Sequence, residues 1–151
     1  MTVICIQYHK TKIGELVLGS FEGNLCLLDF RYRKMRRVVD DRLKRGLKAD
    51  FIEEDSDIIE KTRTELDEYF QEKRQEFNIP IQMVGTDFQK SVWNALLKVT
   101  YGTTSSYLQL AKKINNEKAV RAVAGANGAN AIAIIIPCHR IIGSNGELVG
   151  Y

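Results

Sequence analysis

The chain has 151 residues, of which 44% are hydrophobic and 27% are charged, and its formal net charge is +3. This length suits one ordinary domain or two small ones. No apolar run reaches the roughly 18 residues that a membrane span needs, and the N-terminus lacks the pattern of a secretory signal, so a cytoplasmic protein, or a nuclear one in a eukaryote, is expected.

The first part of the sequence predicts a β-sheet with flanking helices. Short runs of β-branched and aliphatic residues, separated by turn signals, indicate three strands joined as hairpins or a meander. Residues 33–46 carry apolar residues at helical spacing among many Arg and Lys. A solvated basic helix face is the favoured interpretation of this segment, and direct contact with DNA is the more specific and less favoured alternative. The predicted elements are strands at 3–8, 15–20 and 24–31 and helices at 33–46 and 56–74.

A break in the pattern separates this part from a second, mainly helical one. Pro80 lies in an extended linker over 77–84 that cannot continue the preceding helix. We place an N-terminal supporting domain at 1–82 and a second domain at 83–151. The second domain carries seven Lys or Arg against three Asp or Glu, a net charge of +4. This charge is compatible with a phosphate-bearing partner, although by itself it is weak evidence.

Three helices are predicted in the second domain. A capping-box pattern at Thr86 begins the first helix, whose apolar stripe contains Trp93. A loop at 101–104 ends this helix, and a turn at 115–116 separates the second from the third, which covers 117–126 and is rich in Ala and Gly. Two short helices joined by a tight turn have the pattern of a helix-turn-helix, which alone is moderately specific for DNA binding.

The three cysteines favour neither a disulfide framework nor a zinc site. Cys5 and Cys26 lie in apolar, strand-like runs and are expected to be small buried hydrophobes. No Cys-x-x-Cys is present, and the two histidines complete no ligand set at metal spacing. Cys138 differs, because it follows an aliphatic run directly behind Pro137 and beside His139. A thiolate is the reactive form of Cys, and a His can take the thiol proton, although an isolated Cys-His pair is more often a packed thiol with a polar neighbour.

Several ordered motifs in the second domain resemble those of the O6-alkylguanine-DNA alkyltransferases, also called methylated-DNA–protein-cysteine methyltransferases. The resemblance is close over 86–151 and loose, in layout only, over the N-terminal part. Several motifs in family order make a chance match very improbable. They are a Phe-Gln-x-x-Val-Trp helix at 88–93, a Gly-x-x-x-Ser-Tyr loop within 101–107, a recognition helix at 121–126, and Pro-Cys-His-Arg at 137–140 with further matches behind it.

The resemblance implies a fold and an activity. The fold is α+β, with an N-terminal ribonuclease-H-like β-sheet domain with flanking helices and a C-terminal, mainly helical domain with a helix-turn-helix. The activity is suicide repair of double-stranded DNA, in which the alkyl group of a flipped-out O6-alkylguanine moves irreversibly onto Cys138. Whether O4-alkylthymine is also a substrate stays open. No cofactor or metal is required, and a monomer is expected.

The resemblance also implies roles for single residues. Cys138 would be the nucleophile and alkyl acceptor, and His139 would deprotonate it through a bound water. Asn130 would hold the active-site turn, Tyr107 would donate a proton to the departing guanine, and Arg121 would fill the gap that the flipped nucleotide leaves in the stack. Without the resemblance, Arg121 is as readily a surface charge, and Tyr107 and Asn130 are more readily a core aromatic residue and a turn cap. The other implied residues are the DNA-binding Ala122, Ala126, Asn127, Gly128 and Ser144 and the base-pocket residues Ile141 and Tyr151.

The sequence departs from the family pattern in two ways, and it leaves three alternative functions open. Thr100 stands where the family often has Pro. The family also continues past the Tyr151 position with a Gly-Gly pair, a helix and a Glu that orients the catalytic His, and a chain without that Glu would have weakened or lost reactivity. The alternatives are a non-catalytic alkyltransferase-like lesion binder, a Cys-His hydrolase that needs an oxyanion hole and turns over, and a sequence-specific helix-turn-helix regulator.

Overall fold

The computed structural model describes residues 2–142, with the backbone alone for 140–142. The chain divides into two compact units between Val84 and Gly85. The first unit combines a sheet with helices and the second is mainly helical, so the predicted α+β class is confirmed.

The sheet of the first unit has four strands, which are β1 (Val3–Thr11), β2 (Gly14–Phe21), β3 (Asn24–Phe30) and β4 (Asp50–Glu53). Their order is β3-β2-β1-β4, and only the β1–β4 pair is parallel. Glu22 and Gly23, which join β2 to β3, both have positive φ, at 49° and 82°. Positive φ at both positions is typical of the two-residue turns whose twist matches a hairpin.

Two helices complete the first unit, α1 (Arg36–Leu47) and α2 (Asp57–Phe70). The side chain of Ser56 caps α2 by accepting a hydrogen bond from the amide of Ile59. The helix packs against β1 and β2. It ends at Phe70 rather than at the predicted residue 74, because Glu72 adopts a left-handed φ of 62° that a helix cannot contain.

The segment predicted as an extended linker is hydrogen-bonded to the sheet. The amide of Leu25 donates to the carbonyl oxygen of Pro80 at 2.8 Å, and the amide of Gln82 donates to the carbonyl oxygen of Leu25 at 2.8 Å. Pro80 supplies only an acceptor, which suits an edge position. The segment is therefore part of the first unit rather than a free connection.

The second unit has three helices and a short parallel strand pair, which are α3 (Asp87–Leu96), α4 (Tyr107–Lys113), α5 (Val120–Gly128), β5 (Ser105–Ser106) and β6 (Ile141–Ile142). A turn of 3-10 helix at Glu117–Ala119 precedes α5, where the sequence predicted one continuous helix. The three α-helices pack on one another, and Nε1 of the buried Trp93 donates to the carbonyl oxygen of Ala126 at 2.8 Å. Within residues 2–142, no helix has the length and apolar character to cross a membrane.

Candidate active site

The loop that follows α5 is held by the side chain of Asn130. Its Nδ2 donates to the carbonyl oxygens of Ile132 at 3.2 Å and Ile136 at 3.1 Å, and its Oδ1 accepts from the amide of Ile132 at 3.0 Å. Asn130 is buried, so these bonds form away from water. One amide thus makes three hydrogen bonds to the backbone of an irregular loop, which is the arrangement expected of a residue that holds a turn.

The middle of the same loop contains an unusual backbone conformation. Ile134 has a φ of 69°, which is rare for a β-branched residue. The loop closes again further on, where the amide of Cys138 donates to the carbonyl oxygen of Ile136 at 2.8 Å, across Pro137. A strained residue persists only where its surroundings determine its conformation. The hydrogen bonds and the burial of Ile134 therefore fix the path of the chain into Cys138.

Cys138 begins a single turn of 3-10 helix. The residue is only 2% exposed, and His139 beside it is half-buried. Strand β6 follows this turn and pairs in parallel with β5, which directly precedes Tyr107. The pairing ties the cysteine turn to the start of α4.

Tyr107 is the first residue of α4. Ser106 and Gln109 form a capping box that fixes this end of the helix. The hydroxyl oxygen of Tyr107 accepts a hydrogen bond from Nδ2 of Asn127 at 3.5 Å. The pKa of Tyr107 is raised above its ordinary value. Burial is the main cause and Cys138 adds to it, while the hydrogen bond from Asn127 acts in the opposite direction. The phenol is therefore protonated at neutral pH, and a protonated phenol can act as a donor.

The outer face of α5 is formed by Arg121 and small residues. Arg121, Ala122 and Gly125 are exposed, and Gly128 lies one turn further along the same face and is half-buried. A Cβ atom built at Gly125 or Gly128 would meet nothing within 4 Å. Packing within the protein therefore does not require glycine at these two positions, and their small size leaves the helix backbone open to close approach from outside.

Two of the predicted DNA contacts lie on the opposite face of α5. Ala126 is 4% exposed and Asn127 is 1% exposed, because they share the inner face of the helix with the buried Val123. Their side chains are therefore not available on the outer face, and the predicted DNA contact at these two positions stays a prediction. The sequence interpretation treated the whole small-residue stretch as one surface, whereas the helical period divides it into an outer and an inner face.

The structure brings the four predicted catalytic residues into one unit. Asn130, Cys138 and His139 follow one another along the loop after α5, and Tyr107 is linked to this region through Asn127 and the strand pair. The contact between Asn127 and Tyr107 was not predicted. Its only signal in the sequence is the position of a polar residue in the buried stripe of the helix. Ser144 and Tyr151 lie outside the described residues, and Ile141 is described by its backbone alone.

The other cysteines are poor candidates for a nucleophile. Cys26 is buried in β3, and its burial raises the pKa of the thiol to about 12, so it stays protonated at neutral pH. Cys5 is half-buried in β1, and none of the three cysteines is in a disulfide. No group of three His, Cys, Asp or Glu within residues 2–142 is placed to hold a metal ion.

Two parts of the chain match two domains of one known protein family. Residues 4–83 match the ribonuclease-like domain of 6-O-methylguanine DNA methyltransferase, and residues 87–151 match the DNA-binding domain of the same protein. The chain belongs to this methyltransferase family. The two matches confirm the resemblance derived from the motifs, including its looser N-terminal half.

Relatives that align with nearly the whole chain are named as methyltransferases of this family. The chain is 41% identical over 142 residues to the methylated-DNA–protein-cysteine methyltransferase of Methanosarcina acetivorans, covering 94% of this chain and 85% of the relative. It is 36% identical over 152 residues to the protein of the same name from Haemophilus influenzae, covering 100% of this chain and 80% of the relative.

Solved structures of the family share the fold. A crystal structure of the Mycobacterium tuberculosis O6-methylguanine methyltransferase superposes with a TM-score of 0.81 at 34% identity, covering 99% of this chain and 84% of that one. A structure of the M. tuberculosis OGT in complex with DNA gives a TM-score of 0.80 at 34% identity, covering 97% of this chain and 83% of that one.

Proposed function

We propose that this protein repairs DNA by moving the alkyl group of O6-alkylguanine onto Sγ of its own Cys138. The observation that carries the proposal is the delivery of Cys138 by a loop that Asn130 and a strained Ile134 hold in one conformation. Relatives that share the whole chain are named for methyl transfer from DNA to a protein cysteine.

The chemical step balances without a cofactor. His139, acting through a water, takes the proton of the Cys138 thiol, and the thiolate attacks the alkyl carbon. A bond between sulfur and carbon forms while the bond between that carbon and O6 breaks, and its electron pair stays on guanine. Tyr107 gives the departing guanine a proton. The thioether has no leaving group that a side chain or water displaces, so each molecule acts once.

The outer face of α5 fits the DNA side of this reaction. A lesion within the base stack is out of reach of Cys138, so the nucleotide has to leave the stack. Arg121 is exposed on the face of α5 where Ala122, Gly125 and Gly128 leave the backbone accessible. We propose that this face enters the minor groove, where close approach matters, and that Arg121 fills the gap left by the flipped nucleotide. Ser144 adds a DNA contact, and Ile141 and Tyr151 help to line the base pocket.

The test is intact mass after incubation with duplex DNA that carries one O6-methylguanine. A gain of about 14 Da, which corresponds to a methyl group in place of the thiol proton, is expected at one equivalent per chain and at no higher level with excess DNA. Peptide mapping should place it on Cys138. The gain should vanish in Cys138→Ser. It should persist in Cys26→Ser, because the Cys26 thiol is protonated at neutral pH and is not expected to react.

Other outcomes point to other functions. Binding of the lesion duplex without a mass gain would make the protein a non-catalytic lesion binder. Release of more than one equivalent of product would indicate a hydrolase, and sequence-dependent binding without a covalent mark would indicate a regulator. An O4-methylthymine duplex in the same assay tests the second substrate, and sedimentation with and without DNA tests the proposed monomer.

A further inference from the structure

Asn127 is a buried amide that packing does not explain. The residue is 1% exposed, and its Nδ2 donates to the hydroxyl oxygen of Tyr107 at 3.5 Å. Its Oδ1 has no hydrogen-bond partner within the described part of the chain. A buried acceptor without a partner destabilises a fold, and an apolar residue of the same shape avoids this loss. Stability alone therefore does not favour asparagine at this position.

Asn130, three residues further on, shows what a structural asparagine looks like in the same unit. Its Nδ2 and Oδ1 are both engaged, and together they make three hydrogen bonds to the backbone of the loop. The side chain of Asn127, by contrast, makes one bond within the described residues, and that bond goes to Tyr107. The difference separates an amide that holds the backbone from an amide that serves one other side chain.

The bond from Asn127 acts on the atom that matters for proton transfer. A phenol oxygen that accepts a hydrogen bond keeps its own O–H free to donate elsewhere, and the accepted bond fixes the plane in which the O–H turns. The same bond stabilises the negative oxygen that forms when the proton leaves, which agrees with the direction in which Asn127 moves the pKa of Tyr107. Cys138 raises the pKa of the same phenol, so both groups act on the pKa of one proton donor.

We propose that Asn127 is a positioning residue for alkyl transfer, whose amide holds the phenol oxygen of Tyr107 so that the hydroxyl proton is directed at the departing guanine. This proposal rests on the proposed function, in which Tyr107 donates that proton. When the bond between the alkyl carbon and O6 breaks, the proton moves from Tyr107 to guanine, and the amide of Asn127 stabilises the phenolate until solvent returns a proton.

The test is a double-mutant cycle on the single-turnover rate of alkyl transfer. Asn127→Leu keeps the shape of the side chain and removes its polar atoms. It should slow transfer by about ten- to hundredfold, the range expected when a reacting group is misplaced. In a Tyr107→Phe background, the same change should produce no further loss, because the group that Asn127 positions is already absent. Asn94→Leu, at an exposed position of α3, is the matched control and should leave the rate unchanged.

Two further readouts separate a positioning role from a structural one. Thermal unfolding of Asn127→Leu should occur at the wild-type temperature or above it, because the change removes a buried acceptor that no residue in the described part of the chain satisfies. Ultraviolet titration, with Tyr107→Phe subtracted, should show that the pKa of Tyr107 rises in Asn127→Leu, because the donor that lowers it is gone. Asn127→Asp, which keeps the shape but removes the NH₂ donor, should also slow transfer, and it replaces the leucine variant if that variant does not fold.

The outcomes distinguish this proposal from the proposed function. Equal slowing by Asn127→Leu in both backgrounds, or no slowing in the wild-type background, would overturn the positioning role even if wild-type protein takes up one alkyl group. If wild-type protein takes up none, the proposed function fails. The titration then decides separately whether Asn127 governs the phenol of Tyr107, and an unchanged pKa would overturn that link as well.

Discussion

The two units bury polar side chains of different kinds. The first unit buries two paired carboxylates, Asp29 and Glu65, beside the neutral hydroxyls of Ser20 and Thr62. Asp29 is fully buried and accepts from Nη1 of Arg33 at 2.9 Å and from Nη1 of Arg36 at 2.7 Å. In the described part of the second unit the buried polar side chains are neutral, and they include the amides of Asn127 and Asn130. The paired charges of the first unit contribute to its fold, whereas the two amides are proposed to position Cys138 and the donor Tyr107 without adding a charge beside them.

The strongest way to test this comparison is to remove the amide that holds the loop. Asn130→Ala removes three hydrogen bonds to the backbone of Ile132 and Ile136, although the two carbonyl oxygens keep the bonds from the amides of Ile136 and Cys138. We expect transfer to slow by about a hundredfold, because Cys138 is no longer held in place, and the free energy of unfolding to fall by about 2 kcal/mol. Quenched-flow mass analysis gives the rate, and denaturant unfolding followed by the fluorescence of Trp93, the single tryptophan, gives the stability.

The matched control for this prediction is Asn94→Ala, since Asn94 is exposed on α3. It should change neither the rate nor the unfolding transition by a measurable amount. An Asn130→Ala protein that transfers at the wild-type rate would show that the loop keeps its conformation without the side chain. In that case the neutral amide of Asn130 would affect the transfer rate no more than the buried charges of the first unit do.

The corresponding change in the first unit is Asp29→Ala. It leaves two arginines, each with a side chain only 15% exposed, without their shared acceptor, although Arg36 also pairs with Asp40. We expect the free energy of unfolding to fall by about 3 kcal/mol, with the transfer rate per folded molecule unchanged. Circular dichroism reports the unfolding of the sheet, and Trp93 fluorescence reports the second unit separately.

Arg63→Ala is the control for this ion-pair prediction. It removes a more exposed pair with Asp55, so its cost should be about 0.5 kcal/mol or less. If Asp29→Ala is no more harmful than this control, burial gives the first pair no special weight. If it slows transfer in fully folded protein, the division of labour between the two units is wrong.

The sequence predicted long elements well and short or non-local ones poorly. The three strands and the helices with clear apolar periods are confirmed, because a repeat of two or 3.6 residues is a local property of the chain. Strand β4 was missed: it has only four residues, sits in an acidic stretch, and exists because Phe51 and its neighbours pair in parallel with β1. The β5–β6 pair was missed for the same reason, since its two strands are two residues long and far apart in sequence.

The candidate site shows the same limit. Cys138, His139, Asn130 and Tyr107 were predicted as site residues because their motifs are contiguous and match a family in order. The bond from Asn127 to Tyr107 joins residues on different helices, and its only local signal is a polar residue in the buried stripe of α5. The burial of Asn127 likewise depends on which face of α5 packs inward, a property of the assembled unit that composition does not reveal.

A smaller effect tests the backbone strain at Ile134. Glycine adopts its φ of 69° without steric cost and alanine does not. Both Ile134→Gly and Ile134→Ala should be less stable than wild type because they remove a buried side chain. We expect the glycine variant to be about 1 kcal/mol more stable than the alanine variant, as measured by Trp93 fluorescence. Its transfer should nevertheless be slower, because a flexible residue no longer fixes the path into Cys138; a faster glycine variant would show that the strain hinders the reaction.

The smallest effect concerns the corresponding positive φ in the first unit. Glu22 has a φ of 49° in the exposed hairpin turn between β2 and β3, followed by Gly23 at 82°. Asparagine tolerates this conformation better, and Asn-Gly is the favoured pair for such a turn. Glu22→Asn should therefore raise the free energy of unfolding by about 0.5 kcal/mol without changing the transfer rate, as measured by circular dichroism and mass analysis. Relief of backbone strain would then leave the transfer rate unchanged in the first unit and lower it in the second. The reason is that only the loop at Ile134 leads directly to Cys138. A changed transfer rate in Glu22→Asn would contradict that reason.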